Sequence, residues 1–407
     1  MKNKNNQIFN KYIYFISIAT IVIMLIVVGF NRLIDPYGFF STPRFDGFNK
    51  NKPEFASHLR MSKAVAIQHF KPRTIILGSS RTEYGINPDH SSFENIGPSY
   101  NLALSSANLY EAYRYMQHAN EIQPLDQVIL MLDFFMFNAV GNPEESEFNE
   151  KLLSTDLLGN PQFTLIQKVS PFISLDTFFS SLATIIRQKS REKTYLFNGV
   201  RIRKNEKNKK QYGIHTSFLR TENIFYTRNY SKFSFATLQR DNWKIYKQLL
   251  LFAQQKGIKL HIAISPSHVR LFEVIAAKGL WNKFEQWKRL IVQFNKEIAI
   301  YANNNPFKVF DFSGYNSLTT ETVPPLGDMH TEMQWFWDAS HYKKELGDLV
   351  LDRIFNFNSP KRFLPNDFGI ILTPENIEKN IEKNKINRII WRKLHPDDVK
   401  EIEKLRI

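Results

Sequence analysis

Cysteine is missing altogether from the 407 residues. That removes disulfides, zinc–thiolate sites and thiol catalysis, and it leaves the redox compartment open. Acidic residues are in short supply: 39 Asp+Glu stand against 54 Lys+Arg, a net charge of +15. Anionic partners such as lipid headgroups or acidic glycan are therefore favoured. No aromatic-plus-basic recognition motif accompanies the charge, so nucleic acid is not expected as a partner. The early Gly78-Ser79-Ser80 lacks the Gly-Lys-Ser/Thr tail of a phosphate-binding loop. Asp328 and His330 have no third ligand in register, so no metal is expected, and no cofactor either.

What the chain does have begins with an apolar run, Tyr12–Phe30, of 19 residues without a charge. That is about the length that crosses a bilayer as a helix. Lys2, Lys4 and Lys11 precede it, and only Arg32 follows closely before Asp35, so the N-terminus is expected in the cytoplasm and the body outside it. Val28-Gly29-Phe30-Asn31 offers no small-x-small cleavage site, so an uncleaved anchor is expected rather than a signal peptide. No second span follows. The division is a tail over 1–11, an anchor over 12–30, a turn-rich juxtamembrane segment over 31–70 and a folded body from 71.

Hydrophobic content of 43% suffices for a real core. Apolar strand-like runs at Thr74–Leu77, Ser99–Leu104, Gln127–Phe134, Ile258–Ser265 and Phe307–Phe312 alternate with helical patterns at Asn108–Ile122, Trp243–Gln255, Val269–Ala277, Lys283–Tyr301 and Ser340–Ile354. This predicts an α/β body, one parallel sheet with helices on both faces. Residues 138–234 break the rhythm and read as a helical insertion, with the role of a lid or cap. Between Arg187 and Lys210 that insertion carries ten basic residues (Arg187, Lys189, Arg191, Lys193, Arg201, Arg203, Lys204, Lys207, Lys209, Lys210) against Glu192 and Glu206, a pattern expected of a solvated loop. Residues 358–407 are polar and charged and read as a partly helical tail, packed on the surface or mobile.

In such sheets ligands sit beyond the carboxyl ends of the strands. Ser80 lies just past the first strand, where a nucleophile is held. Trp337-Asp338-Ala339-Ser340-His341-Tyr342 places an Asp three residues before a His, the spacing at which a carboxylate orients an imidazole. Each segment alone has a plain alternative: turn chemistry at Gly78-Ser79-Ser80, and a helix cap at Asp338 or Ser340. A His in the first turn of a Ser340–Ile354 helix would be kept neutral by the helix N-terminus, as a general base requires. His268, after the fourth strand, is a substrate contact or a structural loop residue. Trp335 and Trp337 are a sugar-stacking platform or loop packing.

The order of an early strand–Gly-Ser-Ser, an α/β body and Asp-x-x-His before the last helix resembles the SGNH (GDSL-type) hydrolase superfamily. It is most similar to the membrane-anchored branch of cell-envelope polysaccharide O-acyltransferases. The resemblance covers Lys71–Phe355, the catalytic domain being set at 71–357. It implies a flavodoxin-like three-layer α/β/α fold with a central parallel sheet. It also implies a catalytic set in which Ser80 is the nucleophile, with Ser79 where the family has Asp, while His341 is the base and Asp338 orients it. The family's Gly oxyanion donor falls in Asn101–Ser106, where Ser106 sits in its place, and its Asn donor corresponds to Asn138 after the third strand or to Asn101.

The implied function is that of an esterase or O-acyltransferase acting on acyl, chiefly acetyl, esters of envelope carbohydrate. The domain would be tethered to the inner membrane on its periplasmic side, beside a membrane-bound acyltransferase partner. A catalytically weak glycan- or partner-binding domain and a membrane-tethered lipase are the competing readings.

Overall fold

The computed structural model describes residues 2–38, 42–94, 97–140, 148–156, 159–162, 173–189, 195–203 and 209–406. Helix α1 (Lys2–Ile34) contains the described segment long and apolar enough to cross a membrane, Gln7–Ile34. It is longer than the uncharged run because the preceding Lys, Asn and Gln residues continue the same backbone pairing. It closes at Asp35, φ +49°, whose N–H donates to Asn31 O at 2.8 Å.

The body is a mixed α/β structure on a six-stranded sheet in the order β2-β1-β3-β4-β5-β6. The strands are β1 (Thr74–Leu77), β2 (Ser99–Asn101), β3 (Gln127–Leu132), β4 (Lys259–Ile264), β5 (Lys308–Asp311) and β6 (Ile370–Leu372). The first five pair in parallel, and β6 runs antiparallel to β5. Every residue of β1 and β3 is buried, as expected of strands covered on both faces.

On one side α2 (Leu59–Phe70), α4 (Leu109–Ile122), α7 (Asn242–Gln255) and α9 (Trp281–Tyr301) pack in succession. Elsewhere α3 (Ser80–Gly85) packs on α10 (Lys344–Phe355). That crossing needs glycine: a Cβ on Gly85 would sit 1.9 Å from the Tyr342 ring, and one on Gly347 1.8 Å from Gly85 O. The helix bearing Ser80 is thus pressed against the segment following His341.

Several boundaries differ from the sequence reading. The second strand stops at Asn101 rather than Leu104, and the third at Leu132, after which Phe134–Phe137 form one turn of 3-10 helix. The last helix of the predicted alternation starts at Lys344 and not Ser340, because Trp337 N–H pairs with His341 O at 2.9 Å and Lys343 N–H with Trp335 O at 2.7 Å. His341 therefore sits in a hairpin, and the helix-dipole argument for its neutrality does not apply.

Residues 358–406 pack on the body. They supply β6, α11 (Ile377–Leu394) and α12 (Pro396–Glu403), bury Trp391 and Ile402, and send Arg388 and Arg392 to buried Glu273 at 2.8 and 2.6 Å.

The 138–234 insertion is dispersed rather than a single cap. Helix α5 (Leu175–Ile186) packs on α1, the turn at 195–201 packs on the α3 region, and α6 (Lys209–Ile224) reaches α8 (Val269–Ala277). Within the basic run, Arg191, Lys193, Lys204 and Lys207 lie outside the described residues. Arg187, Arg201 and Arg203 are ion-paired, with Glu54, Glu83 and Asp338 at 2.6, 3.5 and 3.3 Å.

Of the histidines whose protonation burial opposes, His118 and His268 are the most deeply enclosed. His118 approaches Ala64 O through Nε2 at 2.7 Å and accepts Ser154 N–H through Nδ1 at 2.8 Å; burial lowers its pKa to about 4. Burial lowers His268 to about 3. Both are neutral in the fold and gain a proton on unfolding below about pH 6.5. Their contribution is intact above that value and is lost as pH falls towards the folded pKa, about 2 kcal/mol each by pH 5. The urea midpoint of the full chain should drop between pH 7 and pH 5. In a His118→Gln/His268→Gln double variant that drop should shrink markedly, and an unchanged pH slope would contradict the assignment.

Candidate active site

β1 delivers the chain to Gly78, where a Cβ would lie 2.3 Å from Thr82 Oγ1 and 3.1 Å from Met131 Cβ, so only glycine fits this tight entry to α3. Ser79 caps that helix by accepting Arg81 N–H at 3.3 Å. Ser80 is its first residue and stands half-buried at the surface. Its Oγ lies 2.9 Å from His341 Nε2.

The hairpin carrying His341 is closed by Asp338, whose Oδ1 accepts the N–H groups of Ser340 and His341, each at 2.9 Å. That turn sets the imidazole beside the same carboxylate: His341 Nδ1 is 3.0 Å from both Asp338 oxygens. Burial alone would raise the Asp338 pKa. The charge and donors of His341, with the Arg203 guanidinium, outweigh it and hold the carboxyl well below the usual range. Asp338 is thus an anion across the working pH range, fixing the tautomer in which Nε2 faces Ser80 as an acceptor.

Ser79 is occupied differently. It donates to Asp133 Oδ2 at 2.5 Å, and the other Asp133 oxygen accepts Arg81 Nη1 at 2.6 Å. Arg81 also donates through Nε to Ser340 Oγ at 2.9 Å and lies over the rings of Phe135 and Phe225. One buried guanidinium therefore ties α3 both to the end of β3 and to the hairpin of His341.

A second buried cluster supports the far side. Glu83 accepts Tyr195 OH at 2.8 Å and Ser105 Oγ at 2.7 Å, and Lys63 Nζ lies 3.3 Å away. Lys63 donates to the carbonyls of Asn101 and Ala103, and burial lowers its ammonium to about 8 despite Glu83. None of Arg81, Asp133, Lys63, Glu83 or Arg203 was picked out from the sequence as a site residue. The only available signal was charge inside apolar surroundings, as in Leu132-Asp133-Phe134.

The three expected oxyanion positions separate in the structure. Asn101 is fully buried, and its amide donates to Thr82 O at 2.9 Å and Ile86 O at 2.8 Å, so it braces α3 and is not available to a substrate. Asn138 is likewise buried. It donates to Asn229 O at 2.9 Å and Lys232 O at 2.8 Å, which pins the insertion's return. Both side-chain assignments as oxyanion donors are corrected on that ground.

Ser106 is exposed and has φ +57°, the left-handed conformation that glycine occupies most readily. Its loop is held to the turn that leads into Ser80 by Leu104 N–H to Gly78 O at 3.0 Å. Among the described residues, the Ser106 N–H has no backbone acceptor.

His268 is a buried cap, 2.6 Å from Glu321 O through Nε2 and accepting Arg270 N–H, and it does not reach a substrate. Asp328 caps a turn over His330 and Thr331, and no metal-holding cluster occurs among the described residues. Trp337 is half-buried under the cations of Arg203 and Lys343, at 5.2 and 4.4 Å. Trp335 packs against the core.

Known protein families and curated proteins provide no match to this chain.

The Arg81–Asp133 pair makes a direct prediction. Removing one charge of a buried pair leaves the other uncompensated, at a cost of about 3–5 kcal/mol. Asp133→Asn should lower the stability of the full chain in urea by that order, whereas Asp46→Asn, at an exposed pair with Lys50, should cost under about 1 kcal/mol. Equal effects of the two substitutions would contradict the clamp.

Proposed function

We propose that the protein is a membrane-anchored serine esterase or O-acyltransferase acting on short acyl esters, acetyl foremost, of cell-envelope carbohydrate. The observation that carries this reading is the continuous relay from Ser80 Oγ to His341 Nε2 at 2.9 Å and from His341 Nδ1 to Asp338 at 3.0 Å. The resemblance to SGNH hydrolases agrees with it. So does the order of the five parallel strands, β2-β1-β3-β4-β5, which is the flavodoxin-like order, with Ser80 just beyond the carboxyl end of β1.

In this mechanism His341 removes the Ser80 hydroxyl proton as Oγ bonds to the ester carbonyl carbon. The carbonyl electrons move to oxygen. His341 then returns the proton to the departing alcohol, leaving an acyl-Ser80 ester. Water, or a sugar hydroxyl in a transferase, attacks that ester by the same route in reverse, and Ser80 regains its proton. Asp338 stays ionised and stabilises the imidazolium. The Ser80 N–H, orphaned at the first helical position, and the Ser106 N–H are the proposed oxyanion donors. The lysines before the anchor favour a cytoplasmic N-terminus and an extracytoplasmic site.

The full chain in detergent should hydrolyse 4-nitrophenyl acetate faster than 4-nitrophenyl decanoate. Ser80→Ala should lower the acetate rate about 10³-fold or more, and Asp338→Asn on the order of 10⁴-fold, through the wrong imidazole tautomer. Activity retained by Ser80→Ala would remove the triad, and a preference for decanoate would favour the lipase reading.

A further inference from the structure

Helix α5 is built inside out. Its residues facing the protein are small or polar: Thr177, Ser180, Ser181 and Thr184 are buried, followed by buried Gln188. Its outward residues are large and apolar: Leu175, Phe179, Leu182 and Ile186 are 71%, 63%, 37% and 77% exposed. The two sets recur at helical spacing, so each forms one stripe. A helix on the water-facing surface of a globular body has the opposite arrangement, whereas small inward and apolar outward residues belong to a helix packed in lipid.

The inward stripe has real partners, all on the membrane-proximal part of the chain. Ser181 Oγ donates to Asn31 Oδ1 at 2.9 Å, and Tyr37 OH donates to Ser180 Oγ at 3.0 Å. Gln188 exchanges bonds with the Asn51 backbone at 2.8 and 3.0 Å. The ring of Phe178 meets Phe30 of α1 at 5.5 Å, so α5 lies alongside the C-terminal end of the apolar helix. With 12 residues it extends only about 18 Å, too short to cross a bilayer. Exposed charges mark its two ends, Asp176 and Arg187.

We propose that α5 is a second membrane contact, seated in the leaflet at the C-terminal end of α1 with Leu175, Phe179, Leu182 and Ile186 among the lipid acyl chains. The proposal rests on α1 spanning the membrane. Continuity with α1 makes lipid the occupant, since both helices present apolar side chains outward from one joined surface. A short path of contacts leads from this helix to the active site. Asn51 bonds Gln188, Phe55 meets the Tyr195 ring at 5.0 Å, and Tyr195 bonds Glu83 on the nucleophile helix. The seating of α5 would therefore hold Ser80 close above the bilayer, where an ester donor or glycan attached to lipid could reach it.

The absence of cysteine allows single labels in the full chain. Phe179→Cys, Ile18→Cys in the anchor and Leu238→Cys on a fully exposed loop would each carry an environment-sensitive fluorophore in liposomes, with and without brominated lipid. The expected result is quenching by brominated lipid at positions 18 and 179, several-fold greater than at 238, with matching protection from aqueous iodide. If 18 is quenched while 179 behaves like 238, α5 is not in lipid although the anchor is. If 179 is shielded from both quenchers, another protein surface covers the helix and the lipid assignment falls. If 18 is not quenched, the spanning helix falls, and the α5 proposal with it.

Discussion

The buried guanidinium of Arg81 is the constraint on which the Ser80–His341–Asp338 geometry depends. It bonds Asp133 at the end of β3 and Ser340 in the hairpin of His341, while belonging to the same helix turn as Ser80. Ser80 and His341 are 261 residues apart in sequence. Nothing local fixes their distance, so a rigid cross-tie has to. A guanidinium suits the task because its donors radiate in one plane at fixed angles, and burial makes each bond costly to break. The same arrangement keeps Ser79 bonded to Asp133, which leaves Ser80 as the hydroxyl facing the imidazole.

Around that tie the insertion acts as scaffolding. Arg201 N–H donates to Glu83 O at 2.9 Å, Asn101 N–H donates to Asn198 O at 2.9 Å, and Arg203 reaches the Asp338 carboxylate. The basic segment thereby supplies counter-charges to two buried acids next to the site. Residues 358–407 do comparable work on the opposite edge, where Arg388 and Arg392 neutralise Glu273 and the antiparallel β6 completes the sheet. A chain with a polar insertion and a polar terminus thus keeps both in place through buried ion pairs joined to its parallel sheet.

The pieces of the Ser80–His341–Asp338 arrangement stood out in the sequence because they obey short-range rules. A serine follows a strand and a glycine, and an Asp precedes a His by three residues, so local geometry alone brings Asp338 to His341. The parallel strands were legible for a similar reason, since unbroken runs such as Gln127–Leu132 satisfy burial on both faces. Asn101 and Asn138 were misread because where an amide points depends on carbonyls brought close by distant segments. Asp133 carried no spacing signal, since its partners Ser79 and Arg81 lie more than fifty residues away. The start of the last helix was misplaced by four residues because Ser340, His341 and Tyr342 are drawn into hairpin pairing that propensity does not register. The C-terminal residues read as a polar tail on composition, yet apolar anchors such as Trp391 and Ile402 and ion pairs such as Arg270–Asp398 and Arg388–Glu273 bind them to the core.

The most direct test of the catalytic account is to locate a covalent adduct. Trypsin releases Thr74–Arg81 as one peptide containing both Ser79 and Ser80, so tandem mass spectrometry after reaction of the full chain with a fluorophosphonate can distinguish the two hydroxyls. The relay predicts an adduct on Ser80 that is lost in His341→Ala. An adduct on Ser79, or none on this peptide, would contradict it.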